Sequence, residues 1–442
     1  MTFGRNALVT PGSLVLATLN VWVDPHCRLH FQFGPKNIFP ARRSARYADV
    51  VKNSSRLLIG AQVLLALAYT LPLFSSELLA DSDFVSFYTA WAMVQDGQGA
   101  RLYDLELQRH YQTELQITLG GPPNFKFLPF VNPPHAALIF MVLPCLSPQL
   151  AAFVFLGLNC LIGVWVLRRL WQLAADWTTS ARVLLITTVL GTDVFFYGLA
   201  TRTITLIVFA CLIEYYRALK DRRDLGGALW LIGATVKPQL ILLPAFVPLI
   251  LRRWRLVVIA VSLGILVALC MSLAVGFHIW SDYVRLLREV STNGAAYGAT
   301  PLQMNNLRTI LFRILPSGMV LPLVYIALLA GMASTFWIWR SAHAFELKFA
   351  LTLLIGLCLA PHLNYQDTLV AFLPASIIYD HARLKSEHLT KVFRWLLPVA
   401  TVVPAALIFI GYSRTLRWIW PLPFVLILIG LCVCALRAER RN

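Results

Sequence analysis

The chain has 442 residues, 58% of them hydrophobic and only 13% charged, with 38 Lys and Arg against 21 Asp and Glu. Soluble domains carry roughly 25% charged residues, so this composition, with a mean hydropathy of +0.68, excludes an ordinary soluble fold and describes a membrane protein. The net charge of +17 does not mark a nucleic-acid partner, because the basic residues sit in short clusters between apolar runs, at 42–46, 168–169, 217–224, 252–255 and 437–441, as the positive-inside rule expects of cytoplasmic loops.

Residues 1–56 are mixed and basic and read as a cytoplasmic N-terminal tail; they lack the charged start and small-residue cleavage site of a signal peptide. The first span is predicted at 57–74. It is followed by a long external loop, 76–133, that opens with Asp81 and Asp83 and holds amphipathic segments at 84–96 and 102–116. Phe84, Phe87, Tyr88, Trp91 and Ala92 recur at helical spacing, so that helix is expected on the membrane face or against the bundle. Gly97, Gly99 and Gly120-Gly121-Pro122-Pro123 punctuate the loop.

The apolar stretch 136–146 is too short to cross hydrocarbon, which takes about 20 residues. A half-span that enters and returns also keeps the later basic clusters on one side, and irregular backbone at depth is tolerated where it lines a cavity. The same argument applies at 226–251, where Lys237-Pro238 interrupts an apolar run flanked by arginines. Further spans are expected at 149–167, 181–197, 202–217, 256–276, 318–338, 348–361, 363–380, 394–412 and 417–436. The outer side then receives the first loop, the turn at 197–202, the loop 277–309 and the corner 361–367. The predicted fold is an all-α polytopic membrane bundle of about 10 to 13 transmembrane or half-spanning helices, because lipid admits only helices and closed barrels. A catalytic module occupies 57–380, and C-terminal helices with a basic tail occupy 381–442. Of the eight cysteines only Cys27 lies away from an apolar run, and their spacing shows neither a disulfide framework nor a metal site.

Ionisable residues at the outer ends of spans are functional candidates, because burying them is costly without a partner or a wet cavity. They are Asp81, Asp83, Asp193, Lys237, Arg308, His362 and Asp367. Asp81 or Asp83 either caps the following helix or acts as a general base, with a pKa raised by reduced solvation and by its acidic neighbour. Lys237 is either a snorkelling side chain or a cation for an anionic group such as phosphate. His362 is either a core histidine paired with Asp367 or a second donor to that anion; Arg308 is either solvated or a third. A phosphate-cradling glycine loop, an HExxH motif and a CxxC pair are all lacking, so nucleotide-sugar or ATP chemistry in the usual soluble manner is not expected, and no cofactor is assigned.

Several motifs recur in order: Asp83-Phe84 with Phe87-Tyr88 and Ala90; Gly99 with Leu102-Tyr103-Asp104; the prolines of 129–134; Lys237-Pro238-Gln239 followed by an arginine cluster; Met304 to Arg308; and Pro361-His362 with Tyr365 and Asp367. Together they resemble glycosyltransferase family 87 of the GT-C superfamily, which includes polyprenyl-phosphate-mannose-dependent α-mannosyltransferases. The likeness runs over 57–380. It implies a GT-C-like bundle in a bacterial-type plasma membrane, with an extracytoplasmic active site, a polyprenyl-phosphate sugar donor, a lipid or glycan acceptor, inversion at the anomeric carbon and no obligatory metal. By the same resemblance Asp83 is the catalytic carboxylate, with Asp81 the runner-up, and Lys237 and His362 attend the donor phosphate, with Arg308 added from the residue reading above. Tyr88, Tyr103, Asn132, Tyr365 and Asp367 are supporting residues. Where relatives carry a Gly-Gln pair this chain reads Gly198-Leu199-Ala200-Thr201-Arg202, a departure that bears on the donor sugar. The competing reading is a transporter or flippase of an anionic lipid or sugar phosphate, which would also use broken helices; the long external loop and the lack of visible inverted halves favour the enzyme.

Overall fold

The computed structural model describes residues 20–23, 29–32, 41–121, 126–293, 304–387, 389–393, 396 and 421–439. Cys27, Pro122-Pro123 and the span expected at 394–412, apart from residue 396, lie outside the described residues. The chain divides into two units, Met1–Ser55 and Arg56–Asn442. In the first, β1 (Asn20–Val23) and β2 (Leu29–Gln32) form an antiparallel ribbon with Asn20 opposite Gln32, in a stretch the sequence shows only as a tail. Helix α1 (Ala41–Thr70) starts well before the expected first span.

In the second unit the long loop is largely helical, with α2 (Ser76–Ala80), α3 (Asp83–Gln95) and α4 (Leu105–Thr118). Ser75 caps α2 by accepting from the Leu78 N–H at 3.2 Å, and Asp104 caps α4 by accepting from Glu106 and Leu107 at 3.1 Å each. The stripe on α3 does not rest on a membrane face: Phe84, Phe87, Tyr88 and Trp91 are buried, and so are Val85, Ser86, Thr89, Ala90 and Met93. Trp91 packs against Phe87, Phe140 and Phe155, with ring centroids 6.0, 5.4 and 5.2 Å away. The buried face of α4 is built partly of amides. Gln108, Gln112 and Gln116, one turn apart, are all buried. Gln108 donates to Leu102 O at 2.7 Å and accepts from Phe130 N at 2.8 Å. Gln112 exchanges bonds with both backbone groups of Leu128 at 2.6 and 3.0 Å, and Gln116 donates to Ala80 O at 2.8 Å. These amides satisfy an extended segment that would otherwise bury bare peptide groups.

The stretch 136–146 forms α5 (Ala136–Ile139) and a 3-10 turn, Leu143–Cys145. Both of its ends rest on α3: Trp91 donates to Ala136 O and Tyr88 to Leu146 O, each at 3.3 Å. Those two donors are adjacent on one helix face, so the segment returns to where it began. After α6 (Pro148–Leu173), the expected span 181–197 is instead a pair, α7 (Thr179–Leu190) and α8 (Asp193–Ala200), bent by 47°. Gly191 closes α7 at this break, and a Cβ there would lie 2.9 Å from Gln62 Cβ, so α1 approaches as closely as only glycine allows. Thr192 then caps α8.

Helix α9 (Thr205–Lys220) is buried along most of its length and packs on α6 and α10 (Asp224–Ala234). From α10 the chain turns at Lys237 through 3-10 turns at Pro238–Leu240 and Pro244–Phe246 to α11 (Val247–Ile250). Arg222 and Arg252 flank this excursion with φ of +57° and +54°. The Arg253 guanidinium joins its two feet, bonding the Asp224 carboxylate and, at 2.9 Å, Leu219 O. The 224–251 segment is therefore a closed hairpin. Single cysteines at exposed Asp221 and Arg255 are expected to react with a membrane-impermeant maleimide from the same face; labelling from opposite faces would mean that the segment crosses.

The remaining helices are α12 (Trp254–Val275), α13 (Ile279–Asn293), α14 (Leu307–Ile314), α15 (Ser317–Arg340), α16 (Phe345–Leu359), α17 (Phe372–Lys385) and α18 (Pro421–Glu439). Where a span was expected at 363–380, the chain runs first as a 3-10 helix, Tyr365–Ala371, and then as α17. Among the described residues α6, α12 and α15 are long and apolar enough to cross a membrane, and α7 with α8 would make a fourth, bent span. Their exposed side chains are of the kind lipid covers, such as Leu273 at 70% exposure and Leu329 at 66%.

Candidate functional site

Asp83 is the first residue of α3, and the N-cap position is Ser82, so neither acid caps this helix. Asp81 is exposed and closes α2, its N–H donating to Glu77 O at 3.2 Å. The start of α3 is tied to the end of α8 by Phe84 N donating to Thr201 O at 3.2 Å. The half-buried Asp83 carboxylate accepts from Gln366 Nε2 at 2.8 Å and is also hydrogen-bonded by Thr203. Burial raises its pKa above the ordinary carboxylate value; Lys237 opposes that shift, and Asp367 adds to it. The like charge that Asp83 feels is thus Asp367, from the far end of the chain, rather than Asp81.

Lys237 lies at the turn of the closed hairpin, where Pro238 begins a 3-10 turn. Its Nζ donates to Asp367 Oδ1 at 2.6 Å, Thr205 Oγ1 at 3.0 Å and Thr203 Oγ1 at 3.3 Å. Lys237 is 3% exposed and Asp367 0%, so Lys237 does not snorkel and its three protons already have partners. Asp367 Oδ1 also accepts from Thr205 at 2.6 Å, while Oδ2 accepts from Asn364 N at 3.1 Å and completes a capping box on the 3-10 helix.

His362 lies in the fields of Asp367, Lys237 and Arg308 and bonds the Asn364 side chain. Burial lowers its pKa, so the ring is neutral near pH 7. The Asp367 oxygens are occupied by Lys237, Thr205 and Asn364 rather than by the imidazole. Arg308 donates to Ser291 O at 2.8 Å and Pro361 O at 3.4 Å. Its corner is zipped to the 360–363 strand of chain: Asn305 N donates to Leu363 O at 3.0 Å and Asn306 Nδ2 to Ala360 O at 2.7 Å.

The structure therefore brings together Asp83, Lys237, His362, Asp367 and, through His362, Arg308. The other supporting residues make their contacts elsewhere. Tyr88 is held on Leu146 O, and Tyr103 donates to Asn132 O at 2.7 Å while stacking on Phe130. Tyr365 donates to the Asp193 carboxylate, holding the 3-10 helix against α8. Sequence reasoning missed Gln366, Thr203, Thr205 and Asn364. Gln366 and Asn364 stood inside the 361–367 corner, and their signal was that proximity to Asp367; the threonines follow Arg202 with only polar character to mark them. Arg202 itself, 2% exposed with φ +50°, places its guanidinium on Leu73 O at 3.0 Å and Ala152 O at 3.4 Å. It clamps the chain behind Asp83. Among the described residues no group of three or more His, Cys, Asp and Glu is placed to hold a metal.

An apolar helical chain that gathers a carboxylate, a lysine–carboxylate pair and an imidazole where broken helices meet has the parts of a membrane-embedded group-transfer enzyme. The family model for glycosyltransferase family 87 matches residues 130–361, slightly more than half of the chain. The chain belongs to that family and is a membrane glycosyltransferase. The match takes in Lys237 and Arg308 and stops short of Asp83, His362 and Asp367. No curated protein and no solved structure matches the chain.

Proposed function

We propose that the protein moves a hexose, mannose in particular, from a polyprenyl phosphate to a hydroxyl of a lipid or glycan acceptor, with inversion, on the extracytoplasmic side. The observation that supports this most is the half-buried Asp83 carboxylate, held by Gln366 beside the buried Lys237–Asp367 pair. Asp83 takes the proton of the acceptor hydroxyl as its oxygen attacks the anomeric carbon. The bond from that carbon to the phosphate oxygen breaks on the opposite face, and the departing polyprenyl phosphate leaves with the electron pair and gains negative charge. Pre-placed donors and cations stabilise such developing charge more than the ground state. Arg308 supplies a cation without a carboxylate of its own among its described partners, neutral His362 an N–H, and Lys237 a field partly cancelled by Asp367.

The test is incubation of the purified protein with polyprenyl-phosphate sugars and a membrane lipid extract, read by mass spectrometry. The expected result is an acceptor heavier by one hexose. If no acceptor gains mass with any donor while the labelled lipid crosses a vesicle bilayer, the reading fails in favour of transport.

A further inference from the structure

The corner 304–308 carries two asparagines with opposite fates. Asn306 is fully employed: its Nδ2 donates to Ala360 O at 2.7 Å, and its Oδ1 accepts from Thr309 N at 3.2 Å. Asn305 is 1% exposed, yet among the described residues neither its Nδ2 nor its Oδ1 has a hydrogen-bond partner. Burying a bare amide is costly, and almost all buried polar groups in native proteins are paired. The neighbourhood is that of the candidate site, because Asn305 N donates to Leu363 O at 3.0 Å, next to His362. Arg308, three residues on, also keeps a buried Nε without a partner among the described residues.

We propose that Asn305 is a sugar-reading residue that pairs with hydroxyls of the transferred hexose; this rests on the glycosyl-transfer reading above. The chemistry of these two amide atoms selects the ligand class. A phosphate only accepts, so it would satisfy Nδ2 and leave Oδ1 bare and repelled. Adjacent ring hydroxyls both donate and accept, and so satisfy both atoms of one amide. The Arg308 Nε, on the same corner three residues on, suits the phosphate of the same donor, which assigns the hexose to Asn305 and the leaving group to Arg308.

The test measures binding of the full-length protein in nanodiscs to polyprenyl-phosphate mannose and to bare polyprenyl phosphate, for wild type, Asn305→Leu and Asn305→Asp. Wild type is expected to bind the sugar-bearing lipid more tightly. Asn305→Leu should weaken that binding about tenfold or more, as expected when a buried ligand hydrogen bond is lost, and leave the bare lipid unchanged. Asn305→Asp, which keeps the acceptor and loses the donor, should fall between. The thermal midpoint of ligand-free Asn305→Leu should equal or exceed that of wild type, since an unpaired amide has been replaced by an apolar isostere. A lowered midpoint would make Asn305 structural, and equal weakening for both lipids would put it on the phosphate; either overturns the proposal, as does undiminished binding of the mannosyl lipid. A wild type that does not favour the sugar-bearing lipid fails at an earlier arm and overturns the donor reading, with Asn305's role along with it.

Discussion

Asp83→Asn is expected to lower turnover by about 100- to 10,000-fold, the usual contribution of a positioned general base, while donor binding stays within a few-fold of wild type. The amide preserves the shape of the carboxylate and can still accept from Gln366, so the start of α3 should hold its place. Asp81→Asn, at an exposed position, should leave turnover nearly unchanged; the reverse ranking would exchange the two roles. The pH dependence follows from burial, which raises the Asp83 pKa. Only the ionised form can take a proton, so the rate should fall on the acid side at a pH above the ordinary carboxylate range. Since Lys237 and Gln366 both hold that pKa down, Gln366→Leu should move the acid limb further up. The stability effect has the opposite sign. A carboxylate whose folded pKa exceeds its unfolded pKa favours folding when protonated and loses that contribution as pH rises through the folded pKa. Asp83→Asn should therefore be no less stable than wild type at pH 7, and a thermal midpoint at least equal to that of wild type would separate lost turnover from unfolding.

The second large effect is expected at the Lys237–Asp367 pair. Lys237→Met leaves a carboxylate that is 0% exposed with Thr205 and Asn364 as remaining partners. Stranding one member of a buried ion pair costs about 3–5 kcal/mol. Asp367→Asn should be similarly costly because the lysine is then uncompensated, although asparagine retains capping ability. The double variant should recover much of the sum. Unfolding in mixed micelles across the four-membered cycle measures the coupling; losses that simply add would show that the pair does not act as a unit.

Much of the helical plan could be read from apolar run lengths, because the physics that sets them, the thickness of hydrocarbon, acts on composition alone. The two returning segments could be read as well, since 136–146 is too short and 226–251 is bracketed by arginines. The bend between α7 and α8 could not, because 181–197 reads as one largely apolar span and the contact that fills the space at Gly191 comes from Gln62 on a distant helix. Nor could the inward face of α4, where glutamines do the work that apolar residues do on α3; a scan for hydrophobic period passes over them. At the site, the charged residues were visible because charge is rare in this chain. Their pairing was not: of the two alternatives for His362, pairing with Asp367 is not the one the contacts show, since the Asp367 oxygens are used by Lys237, Thr205 and the Asn364 backbone. Pairwise choices among charges depend on distances of a few tenths of an ångström, which spacing in sequence does not encode.

The hairpin that carries Lys237 has a consequence for how such a protein can diverge. Its feet are joined by Arg253 and Asp224, so the excursion starts and finishes at one place. Residues can be added to or lost from its interior without reversing the direction of any later helix. The direction of the later helices is thus set independently of the hairpin's length, whereas the hairpin's interior is held to whatever length brings Lys237 to Asp367.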